Sequence, residues 1–202
     1  MPFVLPEGLA PEVYPLAWLV GRWRGEGVVG YPGIEESAFT QDLEITHDGG
    51  PYLAYRTTVR LVVAPDDAAS LDPDAPASED PDAAPTGDGA GDADLGPVWT
   101  TESGYWRVPP ARPEGLPEDQ HPVELLLADP SGHVDVYVGA VGNGRIDLVS
   151  DLIAHTATGA AVSAGKRLYG LVNGELMWAH DLAAFGEPMQ SYASGRLSRV
   201  ED

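Results

Sequence analysis

The chain has 202 residues, a formal net charge of -21, 43% hydrophobic residues and no cysteine. That charge balance excludes a nucleic-acid backbone or an anionic membrane surface as partner, since either would need clustered Lys and Arg. The missing cysteines exclude disulfides, a thiolate nucleophile and a Cys-ligated metal.

Met1 to Pro15 is proline-rich and lacks a basic n-region. It predicts an irregular segment, residues 1–15, and not a signal peptide, which fits a cytoplasmic protein. Leu16 to Val20 predicts a short helical turn leading into the first strand. The next run is Gly21-Arg22-Trp23-Arg24-Gly25-Glu26-Gly27, a G-x-W-x-G-x-G pattern. Glycines at this spacing around one Trp predict a strand that curls closely over its neighbours. Gly25 to Gly30 also matches G-x-G-x-x-G, the dinucleotide fingerprint. That fingerprint needs a helix opening at the glycines, and Tyr31-Pro32-Gly33 forbids one.

Short strands and turns follow. Phe39, Gln41, Leu43 and Ile45 alternate with polar residues and share one face. His47-Asp48-Gly49-Gly50 is a turn signal, and Tyr52 to Val63 reads as a long strand. Pro65 to Pro97 breaks the pattern. It holds ten of the 32 acidic residues and no Lys, Arg or aromatic residue. Such a composition does not offset its ordering entropy, so 65–97 is expected to be a disordered acidic insertion; an acidic docking tail or calcium sponge is the alternative. Strands resume at Val98 to Val108 and Val123 to Ala128. His133 to Gly139 alternates with Val134, Val136 and Val138 on one face. Arg145 to Ile153, Gly159 to Leu171, Glu175 to Ala184 and Ser191 to Val200 complete the series, with hairpin signals at Gly142-Asn143-Gly144 and Asn173-Gly174.

About ten strands at hairpin spacing predict an all-β fold, an antiparallel up-and-down barrel spanning 16–200 with an interior cavity. The chain carries no G-x-S-x-G, H-E-x-x-H, Walker or EF-hand pattern. His47, His121, His133, His155 and His180 lack metal-ligand spacing. No catalytic and no metal residue is assigned. Trp23, Tyr105, Trp106, Tyr169, Trp178 and Tyr192 are candidate aromatic walls of the cavity.

Gly21, Trp23, Gly25 and Gly27, followed by Tyr31-Pro32 and the run from Phe39 through Tyr52, resemble the start of the nitrobindins. Glu102 to Arg107, Arg167 to Trp178 and Asp181 to Arg199 are similar to later nitrobindin stretches. The resemblance covers nearly the whole chain outside the insertion and the extreme N-terminus. It implies a ten-stranded barrel related in architecture to fatty-acid-binding proteins. It also implies a ferric b-type haem at the barrel mouth, with nitric oxide binding and peroxynitrite isomerisation as activities. In that family a His in the last strand holds the iron, in a pattern like G-x-P-L-x-x-H-L-x-A-x-L. The matching run here is Gly186 to Leu197, and the ligand position falls on Tyr192. Ala193 and Gly195 replace the family's Leu and Ala, and Gly33 follows Tyr31-Pro32 where the family often has Thr.

The reading taken from these residues is a nitrobindin-like barrel that has lost iron ligation and binds a small hydrophobic or planar ligand. Its alternative is a ferric haem b protein, ligated by Tyr192 or by a displaced His155 or His180, acting on peroxynitrite or nitric oxide. A third reading makes the barrel a scaffold and the acidic insertion a recruiter of a protein partner.

Overall fold

The structure is a computed structural model and describes residues 5–62 and 96–200. A 3-10 helix, Pro11–Leu19, precedes ten strands. These are β1 (Gly21–Tyr31), β2 (Ile34–Thr46), β3 (Tyr52–Leu61), β4 (Val98–Arg107) and β5 (His121–Asp129). They continue with β6 (His133–Gly142), β7 (Arg145–His155), β8 (Val162–Val172), β9 (Glu175–Ala184) and β10 (Gln190–Arg199). Each strand pairs antiparallel with its neighbour in sequence, and β1 pairs with β10 to close the barrel. Closure leaves no sheet edge to template aggregation. The expected all-β, up-and-down barrel is therefore the fold. Among the described residues no helix is long and apolar enough to cross a membrane.

Local chemistry explains the joints. Asn143-Gly144 and Asn173-Gly174 all have positive φ, the conformation that two-residue hairpins demand and that Asn and Gly supply. Phe39, Gln41, Leu43 and Ile45 are all buried on β2, as the alternation predicts. The G-x-G-x-x-G run is continuous strand, with no helix at it.

The N-terminal boundary differs from the expectation. The helix begins at Pro11, ahead of the expected Leu16, so residues 11–15 are not irregular. Pro11 sits at the first helical turn, where its missing N–H costs nothing. Val13, Leu16, Ala17 and Leu19 are buried, and they pack against Trp23, Ile45, Leu53, Trp106 and Leu125 in one core. The Trp23 Nε1–H donates to the Leu19 carbonyl at 2.8 Å. Arg199 donates to the carbonyls of Trp18 and Val20, and its guanidinium lies 4.2 Å from the Trp23 ring centroid. The helix thus plugs the end of the barrel where β1 starts and β10 finishes.

A smaller apolar cluster, Val29, Phe39, Val59 and Ala193, lies at the other end. There β1 and β3 finish and β2, β4 and β10 begin. Of the expected insertion, residues 65–95 lie outside those described. On either side of it the strands are already joined: Arg60 pairs with Val98, and the Leu61 N–H donates to the Pro97 carbonyl at 3.0 Å.

Candidate functional site

Among the described residues no helix covers the opposite end, which is a mouth with two adjoining spaces. An inner recess of about 40 Å³ lies among Phe39, Gln41, Thr57, Val59 and Trp178. An outer vestibule of about 250 Å³ lies among Tyr31, His133, Asp135, Val162 and Phe185. Trp99, Glu102, Arg167, His180 and Tyr192 line both.

The recess is small for a stated reason. Gly27 of β1 pairs with Gly195 of β10. A Cβ on Gly27 would strike the Phe39 ring and the Ser194 carbonyl, and one on Gly195 would lie 2.6 Å from Trp178 Nε1. The two aromatic rings occupy the bay left by the two missing side chains. They stack with centroids 6.0 Å apart and planes 24° from parallel. Trp178 Nε1–H donates to Gln41 Oε1 at 2.8 Å, and Gln41 Nε2 donates to Thr57 Oγ1 at 2.9 Å. The Thr57 hydroxyl passes the chain on to the Asp42 carbonyl. Buried polar groups satisfied in this way fix one arrangement of the core.

Tyr192 stands where β10 bulges. Ser191 pairs with Asp181 and Ala193 with His180, so Tyr192 has no partner in the ladder. An extra residue of this kind re-aims a side chain. The Tyr192 ring meets His180 edge-on at 5.7 Å and Tyr31 at 6.2 Å. Its hydroxyl accepts the Trp99 Nε1–H at 2.9 Å. Burial pushes the phenol above its ordinary pKa of 10, and the Trp99 hydrogen bond opposes that only in part. The phenol is protonated at neutral pH.

Beneath the mouth lies a belt of polar side chains. Arg167, 6% exposed, makes a two-pronged ion pair with Glu102. Burial acts to lower the Arg167 pKa, but the Glu102 carboxylate together with Tyr137 and Tyr169 more than offsets it. Tyr55 donates to Glu102 at 3.1 Å, and Arg167 donates to the Tyr169 hydroxyl at 3.4 Å. Burial raises the pKa of Tyr55, Tyr137 and Tyr169. His180 is buried, with Nε2 3.3 Å from the Tyr137 hydroxyl. Burial, with Arg167 nearby, holds its pKa well below 6.5, so the imidazole is neutral.

Of the six expected wall residues, the mouth gathers three: Tyr169, Trp178 and Tyr192. Trp23 and Trp106 belong instead to the plugged core, and Tyr105 is 51% exposed. Their places are set by strand register: Tyr105 and Trp106 are adjacent and point to opposite faces. His155 is exposed and turned to the Thr156 carbonyl. Among the described residues no group of three or more His, Asp or Glu could hold a metal ion. The sequence reading missed Trp99, Glu102, Arg167 and Asp135. Its available signal was the row His133, Asp135, Tyr137, all buried on the inner face of β6, while Val134 is 55% exposed on the outer one.

The architecture has known counterparts. A family profile described as "THAP4-like, heme-binding beta-barrel domain" matches residues 12–199. A "Ferric nitrobindin-like protein" of Beutenbergia cavernae is 47% identical, over 99% of this chain and 100% of that one. The chain belongs to the nitrobindin family. Another member, a "Peroxynitrite isomerase" of Parafrankia sp., is 39% identical over 95% of this chain and 81% of its own. The solved structure of Rv2717c from M. tuberculosis superposes with a TM-score of 0.68 at 28% identity, covering 96% of this chain and 99% of that one. The nitrobindin barrel is a haem-binding fold by description, which makes the mouth the place to ask what binds.

Proposed function

We propose that this nitrobindin-family barrel binds a small apolar or planar ligand at its mouth, and that it has lost iron ligation. The observation that carries this is the state of Tyr192, which stands at the position corresponding to the family's ligating His. Its hydroxyl oxygen, the atom that iron ligation would use, is already engaged by the Trp99 indole N–H. The space beside it is also restricted. The stacked Phe39 and Trp178 leave a recess of about 40 Å³, and the vestibule outside it adds about 250 Å³, which puts the mouth at the lower edge of the roughly 300–1,000 Å³ of pockets for drug-sized ligands. These residues do not fit a haem. The neighbouring His180 also lines the mouth, but its Nε2 is already engaged, 3.3 Å from the Tyr137 hydroxyl, and would have to give up that contact to take the iron. We assign no catalytic residue.

A second reading keeps ferric haem with Tyr192 as ligand. On its side is the direction of the Trp99 hydrogen bond, which favours the charged form of the phenol. One titration separates the two. Hemin added to the purified chain is expected to give no saturable Soret shift. A stoichiometric shift that disappears in Tyr192→Phe would establish the second reading and overturn the first.

A further inference from the structure

The vestibule contains two unpartnered polar atoms, the Asp135 Oδ1 acceptor and the Arg167 Nε–H donor. Asp135 is 9% exposed and lines this space, and its Oδ1 has no hydrogen-bond partner. A buried carboxylate oxygen left unpaired is costly, so the position asks for a donor brought from outside. Three carboxylates face the vestibule (Glu102, Asp129 and Asp135) against one guanidinium, that of Arg167. Arg167 is held by Glu102. Asp129 receives the Ser131 N–H and hydroxyl and lies 3.6 Å from His133 Nδ1. The local balance is therefore negative, as is the whole chain.

The rim is aromatic. Tyr31 packs edge-on against both Phe185 and Tyr192, at 6.3 and 6.2 Å, and Trp99 is tied to Tyr192. Phe185 is held at φ 56° and is 58% exposed. The conformation belongs to the Ala184–Glu187 turn, whose central residues Phe185 and Gly186 both have positive φ, and the turn sets the ring at the opening. Aromatic faces over a negative pocket attract organic cations.

We propose that the vestibule is a binding site for a small organic ammonium ion with an apolar body, its N–H donated to Asp135 and its cation screened by Tyr31, Trp99, Phe185 and Tyr192. A volume of about 250 Å³ holds roughly eight water-sized units at ~30 Å³ each, the size of an arylalkylamine. The proposal rests on the reading of the mouth as a small-ligand site and names the ligand's charge.

Calorimetric titration of the full chain with 2-phenylethylamine, 2-phenylethanol and phenylacetate tests it. The amine is expected to bind at least tenfold tighter than the alcohol, with the carboxylate weakest. Asp135→Asn is expected to lower amine affinity at least tenfold and leave the alcohol unchanged. Equal affinity for amine and alcohol, or indifference to the substitution, overturns the cation site while leaving a small-ligand mouth. If none of the three binds, the cation site falls; the small-ligand reading of the mouth is overturned separately, by a stoichiometric Soret shift with hemin. Should Asp135→Asn fail to fold, wild-type affinities at pH 5 and 7.5 decide. Burial raises the Asp135 carboxyl to about 6, and Arg167, His133, Asp129, Glu102, Tyr137 and His180 face it. Amine affinity is expected to drop at pH 5 while alcohol affinity holds, and a pH-independent ratio overturns the site.

Discussion

Trp99 of β4 and Tyr192 of β10 meet across the barrel mouth, the indole N–H donating to the phenol oxygen at 2.9 Å. The two strands are not neighbours in the sheet, so this bond spans the opening and does not belong to the wall. Tyr192→Phe removes the acceptor and leaves the indole N–H to water. The expected loss is about 1 kcal/mol, read as a fall of ~2–4 °C in Tm, with a change in tryptophan emission. An unchanged spectrum would show that the bond does not form in solution.

Gly195→Ala tests what keeps the recess small. The new Cβ would lie 2.6 Å from Trp178 Nε1, so the ring must move and lose its bond to Gln41. Overpacking of this kind costs about 1–3 kcal/mol. Circular dichroism in the aromatic region should change along with the Tm. A variant as stable as wild type, with the same aromatic signal, would count against the fitted bay.

The Glu102 and Arg167 side chains are 15% and 6% exposed. Glu102→Gln leaves a buried guanidinium without its counter-charge, which costs about 3–5 kcal/mol. The pair Glu102→Gln and Arg167→Met should recover much of that loss, since no unpaired charge remains. Denaturant midpoints of the single and double variants check the order; a double variant no more stable than Glu102→Gln would contradict it.

Asp135 sets a pH dependence with a definite sign. Its carboxyl is raised from 3.8 to about 6 by burial, so the folded state holds the proton more tightly than the unfolded state. The resulting penalty is complete above the folded value and is relieved as pH falls through 6 towards 4. Its upper size is about 3 kcal/mol at ~1.4 kcal/mol per pKa unit. Asp48, Asp147 and Glu175 are lowered by hydrogen bonds to Tyr52, Arg145 and Arg196 and act in the opposite sense. The readout is therefore the difference between wild type and Asp135→Asn, which should be largest above pH 6 and close by pH 4. A constant difference would remove Asp135 as its source.

Replacing residues 63–95 by a short turn should leave the barrel folded. Leu61 and Pro97 are already hydrogen-bonded, and Arg60 already faces Val98. Loop-closure entropy changes slowly with length, so a somewhat higher Tm is expected from thermal melts. Loss of cooperative unfolding would show that the segment takes part in the fold.

Much of the fold was legible because it follows from alternation and turn chemistry. The β2 face and the two Asn-Gly hairpins are cases where one residue type permits one geometry. The family was legible in the glycines around Trp23. The site was harder. On β6, the valines look like a core face, yet Val134 lies outside and His133, Asp135 and Tyr137 line the interior. A barrel that encloses a polar space reverses the usual reading of inside and outside. Trp99 was hidden for another reason: its partner is 93 positions away, and no local pattern encodes a bond across an opening.

The helix Pro11–Leu19 closes the far end of the barrel with Leu16 and Leu19 fully buried. The molecule is consequently a cul-de-sac. Among the described residues the helix leaves only the other end open, so a ligand bound as proposed would enter and leave between Trp99 and Phe185. The sealed end can remain constant while its opposite is rebuilt for new occupants.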